Sequence, residues 1–265
     1  MSEKSISAVV LAGQRSKKSA LLRRANVSLE IMVPVAGKAS LVRVLDALRD
    51  SSLVQPRVLV GPDANMLAAT EAARRLIHEY QVEWVPPAED PASSAIIGSE
   101  TLQYPLLVTT ADHALLTPEL IDDFCTAALN QEADFFCALV PFKLVQRAYP
   151  KSRRTVLRFS DESFCGANLF FVKNASGLRA FKFWREMQEY RKRPYVIALK
   201  LGLTLFSKYI LRRLSLKIAL MRLSELAGCT LGVIKLKAAR AAIDVDSLDD
   251  WQLAESIILQ EGEAR

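Results

Sequence analysis

Pro-Leu-Leu-Val-Thr-Thr-Ala-Asp-His, residues 105–113, is a short apolar run that stops at an aspartate. Polar residues do not alternate through it, which is the pattern of a strand covered on both faces. The carboxylate of Asp112 falls just past the strand's carboxyl end, where parallel α/β sheets bind their ligands. A carboxylate there is a natural ligand for a hard cation such as Mg²⁺. It serves equally well as a turn residue. The following Thr117-Pro118-Glu119 starts a helix, with threonine as cap, proline in the first turn and an acid early.

The same strand signature recurs at residues 7–12, 57–60, 82–85, 134–141 and 230–236. Residues 155–159 and 168–172 read as further strands, antiparallel to the rest, and 243–246 as extended chain. Helices are expected at 40–51, 64–80, 95–102, from 117 onward, and at 249–260. The first of these has Ser40 as candidate cap and carries Leu41, Val44, Leu45 and Leu48 on one face. Alternating strands and helices predict an α/β fold, doubly wound, with a mostly parallel sheet. With 265 residues, the chain is long enough for one large domain, taken as 1–265 with a basic helical lobe at about 178–228.

Composition is ordinary for a globular protein, with 51% hydrophobic and 24% charged residues. The four cysteines have no C-x-x-C spacing, and the two histidines could add little to a metal set, so a zinc site is not expected. No stretch is long enough to cross a bilayer or resembles a signal peptide, so a cytoplasmic protein is expected.

Three strand ends carry candidate chemistry. Leu11-Ala12-Gly13-Gln14-Arg15-Ser16 places a glycine directly after a strand, where backbone N–H groups can approach a phosphate. An ordinary strand–helix turn with a solvated basic loop explains it as well. Asp112 ends the second strand. Asp244-Val245-Asp246 closes the third, and alternation puts both acids on one face. Two carboxylates so placed call for a cation or basic group. Ser247 or Asp246 could also cap the last helix, with Asp249 and Asp250 in its first turn. A fourth element, Gly166-Ala167-Asn168-Leu169, places a glycine and an amide beside a strand, as a plain β-turn also would.

In this order the segments resemble the MobA-like NTP transferase (nucleotidyltransferase) family, with its GT-A-like, Rossmann-like fold. The family opening Leu-Ala-Gly-Gly is similar to residues 11–14, Val-Pro-Val-Ala-Gly to 33–37, the metal-binding aspartate motif to 108–112, and Gly-x-Asn-Leu to 166–169. The closing Asp-x-Asp-Thr-x-x-Asp is similar to 244–250, with Ser247 for threonine. The resemblance runs from about residue 6 to 255. It implies transfer of a nucleotidyl group from a nucleoside triphosphate to a phosphorylated acceptor, with release of pyrophosphate. Asp112 and Asp246 would be catalytic and would hold Mg²⁺, with Asp244 beside them. Leu11, Ala12, Gly13, Gln14, Arg15 and Lys38 would bind nucleotide, and Gly166 and Asn168 the acceptor.

Two departures stand out. Gln14 replaces the second glycine, and Glu30 occupies the position of a lysine expected to touch the nucleotide phosphates. Lys38, Arg23 or Arg24 could supply the missing charge. The departure leaves open a catalytically degenerate member that binds nucleotide or a protein. A nucleotide-sugar glycosyltransferase on the same fold is the third alternative.

The net charge of +6 is concentrated. Residues 178–223 hold twelve basic and two acidic residues, a balance of +10. Phe181, Trp184, Met187 and Tyr190 recur at helical spacing there, which suits docking onto the rest of the fold. After Pro194, Leu199, Leu203, Phe206, Ile210 and Leu214 repeat the pattern. Three readings stay open: a solvated charged face over an apolar inner face, peripheral contact with anionic membrane at the inner face, or a site for a phosphorylated acceptor. No recognition motif points to nucleic acid.

Overall fold

A computed structural model describes residues 6–14, 20–189, 200 and 202–263. Its strands are β1 (Ile6–Leu11), β2 (Pro34–Val35), β3 (Lys38–Ala39), β4 (Val54–Val60), β5 (Glu83–Val85), β6 (Leu106–Thr110), β7 (Phe135–Pro141), β8 (Leu157–Arg158), β9 (Ser163–Val172) and β10 (Leu231–Lys235). The central sheet has the order β10-β7-β9-β6-β1-β4-β5, with β8 on β9, and β2 and β3 form a separate hairpin. β1 lies parallel to β4 and β6, β4 to β5, and β10 to β7. β9 runs antiparallel between β6 and β7. The sheet is therefore mostly parallel, with the expected antiparallel insertion.

The helices are α1 (Ala20–Ala25), α2 (Ser40–Asp50), α3 (Ala64–Ala68), α4 (Glu71–Glu79), α5 (Pro91–Ser99), α6 (Pro118–Leu129), α7 (Phe142–Ala148), α8 (Leu178–Glu189), α9 (Leu203–Ile210), α10 (Leu216–Ala227) and α11 (Leu248–Glu263). Both sheet faces are covered. Ala8, Val10 and Leu107 share a core with Leu41, Leu45 and Leu48 of α2 and Ile121 and Phe124 of α6. Val9, Leu106 and Val108 face Ala92 and Ala95 of α5 and Phe181 of α8. Each large apolar side chain removed from water contributes about 1.5–3 kcal/mol, which is why an unbroken apolar run becomes a central strand. As expected, Leu41, Val44, Leu45 and Leu48 are buried.

Several local expectations change. Residues 64–80 form two helices, because Thr70 leaves the helical region (φ −120°, ψ 90°) and its hydroxyl donates back to Met66 O at 3.0 Å. The branched side chain of threonine tolerates that extended conformation well. α1 lies within what reads as a polar loop; Leu21 and Leu22 are its buried pair. α7 follows β7 without a sequence break. Ser40 opens α2 but does not cap it; its hydroxyl donates to Ala111 O at 2.6 Å. Thr117 caps α6 as expected, accepting from Leu120 N at 3.3 Å. No helix among the described residues is long and apolar enough to cross a membrane.

Candidate active site

Asp112 is held by its neighbours before its own carboxylate is considered. Ala111 N donates to Leu11 O at 2.9 Å, so the residue after β6 is tied to the end of β1. Ser40 Oγ takes the Ala111 carbonyl from the other side. The Thr110 hydroxyl donates to the Asp112 carboxylate. The Asp112 carbonyl accepts from Ala114 N at 2.9 Å and from Val245 N at 3.0 Å. That last bond brings the distant acidic segment to the end of β6.

The result is a cluster of Asp112, Asp244 and Asp246, each with a carboxylate oxygen within 4.8 Å of the others. Burial, and then the charge of Asp244, pushes the Asp112 carboxyl up to about 7. Beside it, His113 is buried, and neither ring nitrogen has a hydrogen-bond partner among the described residues. Burial pushes its imidazole down to about 4, so it is neutral near pH 7. Three convergent carboxylate oxygens could hold a hard divalent cation. A cation there would offset the mutual repulsion of these carboxylates.

Asp244 already has two partners. Arg154 pairs with its Oδ1, and Asn168 Nδ2 donates to Oδ2 at 3.0 Å. The Arg154 guanidinium also pairs with Asp250 in the first turn of α11 and is itself 10% exposed. Its Nε donates to Ser152 Oγ at 3.1 Å. Sequence reasoning misses Arg154: nothing local separates it from Arg153, and its partners lie about 90 residues away. Asn168 is reached through a bulge, where β9 slips register against β7, and it sits at φ +44°. Ser247 caps α11, accepting from Asp250 N at 3.2 Å.

The remaining candidates divide. Leu11 and Ala12 lie at the end of β1, with Ala12 N bonded to Val60 O at 2.8 Å. A Cβ added at Gly13 would meet no atom within 4 Å, and the same holds at Gly166. Neither glycine is required by packing or by a left-handed backbone. Gln14 spends its amide within the protein: Nε2 donates to Ser28 O at 3.3 Å and Oε1 accepts from Glu30 N at 3.1 Å. The two departures from the family pattern thus touch one another. Lys38 pairs with Asp46 of α2 at 3.2 Å. Arg15 lies outside the described residues.

Residues 8–162 match the family described as the MobA-like NTP transferase domain. No curated protein sequence matches the chain. A hypothetical transferase from Thermus thermophilus has a similar structure, with 26% identity, a TM-score of 0.75, and coverage of 93% of this chain and 99% of that one. A CMP:2-keto-3-deoxy-manno-octonic acid synthetase solved with CTP is similar in fold at 10% identity and TM-score 0.60, over 97% and 100% of the two chains. The 4-diphosphocytidyl-2C-methyl-D-erythritol synthase from Anaerococcus prevotii is similar in fold at 11% identity and TM-score 0.56, over 97% and 96%.

Proposed function

The chain belongs to the MobA-like NTP transferase domain family, a family of nucleotidyltransferases, and from that premise we propose that it moves the nucleotidyl group of a nucleoside triphosphate onto a phosphorylated acceptor. An acceptor oxygen bonds to the α-phosphorus, the bond to the β-phosphate oxygen breaks, and pyrophosphate leaves with the electron pair. Such transfers depend mainly on positioning and on neutralising phosphate charge.

The observation that carries this reading is the three-carboxylate cluster at the ends of β1 and β6. Asp112 and Asp246 would hold Mg²⁺, with Asp244 completing the negative set. The cation would neutralise phosphate oxygens when bound. Arg154 and Asn168 orient Asp244, so that its charge faces the cluster in a fixed geometry. The turn through Leu11, Ala12, Gly13 and Gln14 would receive the triphosphate, because Gly13 leaves its flank open to a ligand. Arg15 and Lys38 would add positive charge at that side. The acceptor would lie along Gly166, with Asn168 linking that side to Asp244. This reading treats residues 1–265 as one catalytic unit with a helical lobe at about 178–228, in the cytoplasm.

Asp112→Asn tests it. The variant should keep the wild-type unfolding midpoint and lose pyrophosphate release across a panel of nucleoside triphosphates and phosphorylated acceptors with Mg²⁺. Full activity in Asp112→Asn would reject the site. A nucleotide-induced rise in unfolding midpoint with no pyrophosphate from any acceptor would favour a binding module instead, the reading that Glu30 motivates.

A further inference from the structure

The helix α9 leaves large apolar side chains uncovered. Its sequence, Leu-Thr-Leu-Phe-Ser-Lys-Tyr-Ile, is rich in large apolar residues, yet none of its residues is buried. Leu203 is 65% exposed and Ile210 63%. At 100° per residue, Leu203 and Ile210 lie within about 20° of each other on the helix surface. Tyr209 lies on the half-buried side with Leu205 and Phe206, and its ring, 6.0 Å from Phe159, anchors the helix to the β8–β9 hairpin. Leu211 in the turn and Ile218 and Met221 on α10 are exposed as well. Met221 and Lys217 also line an open groove between α10 and β10 with Leu220 and Val233. The pattern expected for this part of the lobe divides: Leu214 is buried and Phe206 half-buried, whereas Leu203 and Ile210 are exposed, and α8 docks, with Phe181 buried and Trp184 on Phe170 at 5.4 Å. Tyr190 and Leu199 lie outside the described residues.

Exposed basic residues accompany these apolar groups along the sequence, Lys208 on α9, Arg212 and Arg213 in the turn and Lys217 on α10. Lys208, Arg212, Arg213 and Lys217 are exposed and have no carboxylate within ion-pair distance among the described residues. A group of large exposed apolar side chains marks a binding face. A second copy of the chain fits it poorly, because two faces of the same strong positive sign would meet. A nucleic-acid backbone would use the charges but would leave Leu203, Ile210 and Leu211 without a partner. An anionic bilayer satisfies both, taking aliphatic side chains into the acyl boundary and basic groups at the headgroups.

We propose that α9, the turn after it and the outer face of α10 form a docking surface for an anionic lipid bilayer. The inference stands apart from the catalytic reading, since its test needs no nucleotide. The full chain is sedimented with vesicles of phosphatidylcholine alone and of phosphatidylcholine with phosphatidylglycerol. Binding is expected only to the anionic vesicles and should weaken as salt rises. The variant Leu203→Ser/Ile210→Ser/Leu211→Ser should lose at least about tenfold in partitioning. The variant Lys208→Gln/Arg212→Gln/Arg213→Gln/Lys217→Gln should lose at least about tenfold as well and abolish the preference for anionic vesicles. All seven side chains are exposed, so both variants should keep the wild-type unfolding midpoint, which is measured alongside. No sedimentation with anionic vesicles, or equal sedimentation of the wild type and both variants, overturns the proposal. A dimer in light scattering that the apolar variant dissolves, without lipid binding by the wild type, overturns it in favour of a second copy.

Discussion

Asn168 Nδ2 lies 3.0 Å from Asp244 Oδ2, while Arg154 holds the other oxygen of the same carboxylate. Strand β9 and the loop before β8 thus meet on one acid of the C-terminal motif. This couples the acceptor side of the proposed site to its metal side through a single residue.

Removing Arg154 should expose how much that coupling supports. Arg154→Met leaves Asp244 and Asp250, at 21% and 14% side-chain exposure, without their shared cation. Breaking a pair this buried costs about 3–5 kcal/mol. Denaturant unfolding should show that loss, and Arg154→Met/Asp244→Asn should regain part of it. A loss below about 1 kcal/mol would mean the triad is a surface pair in energetic terms.

Ser40 acts on the same site from beneath. Ser40→Ala should leave the Ala111 carbonyl, one residue before Asp112, without its 2.6 Å donor in a buried setting. An orphaned buried acceptor costs about 1–3 kcal/mol. Turnover should also fall, because the peptide that aims Asp112 is loosened. A variant with unchanged stability and unchanged turnover would show that packing alone sets Asp112.

How much of this was legible in the sequence depended on whether the signal was local. Asp112 was readable because an apolar run and a carboxylate adjoin, and the helix after it because Thr117 and Pro118 are local start signals. The pairing of Asp244 with Asp246 followed from alternation. Arg154 and Ser40 were not readable in their roles, because each acts on a partner about 70–90 residues away. The exposure of Leu203 and Ile210 was not readable either, since periodicity gives a stripe but not the side from which it is covered. Asn168 stands out in the sequence by its Gly-x-Asn-Leu motif, and its amide is committed to Asp244.

Asp122 offers a pH test away from the site. It accepts Ser51 Oγ at 2.5 Å, Ser52 N at 2.9 Å and Ser52 Oγ at 2.6 Å, fastening α6 to the start of β4. Burial opposes its charge, but these bonds prevail and hold the carboxyl below the usual range. A lowered folded-state value stabilises the protein above the unfolded value of about 3.9 and ceases to do so as pH falls through the folded value. Asp122→Asn should therefore cost about 0.5–1.5 kcal/mol at pH 7, since solvent screens this partly exposed carboxylate, and the difference from wild type should shrink as pH drops below about 4. A difference that is constant with pH would show that the carboxylate charge plays no part.

Two glycines at the head of the site should respond in opposite ways to the same methyl group. Gly61 sits at φ +96°, and a Cβ there would lie 2.9 Å from the carbonyl carbon and oxygen of Ala12. Gly61→Ala should cost about 2 kcal/mol or more, through backbone strain and displacement of the Ala12 peptide. Gly13 has open space where its Cβ would go. Gly13→Ala should change stability by no more than about 0.5 kcal/mol. If that space receives the triphosphate, Gly13→Ala should still weaken nucleotide binding by about tenfold or more, because backbone approach to phosphate tolerates no intervening methyl. Unfolding midpoints with and without nucleoside triphosphate and Mg²⁺ separate the two effects. Normal nucleotide stabilisation in Gly13→Ala would move the phosphates away from the β1 turn.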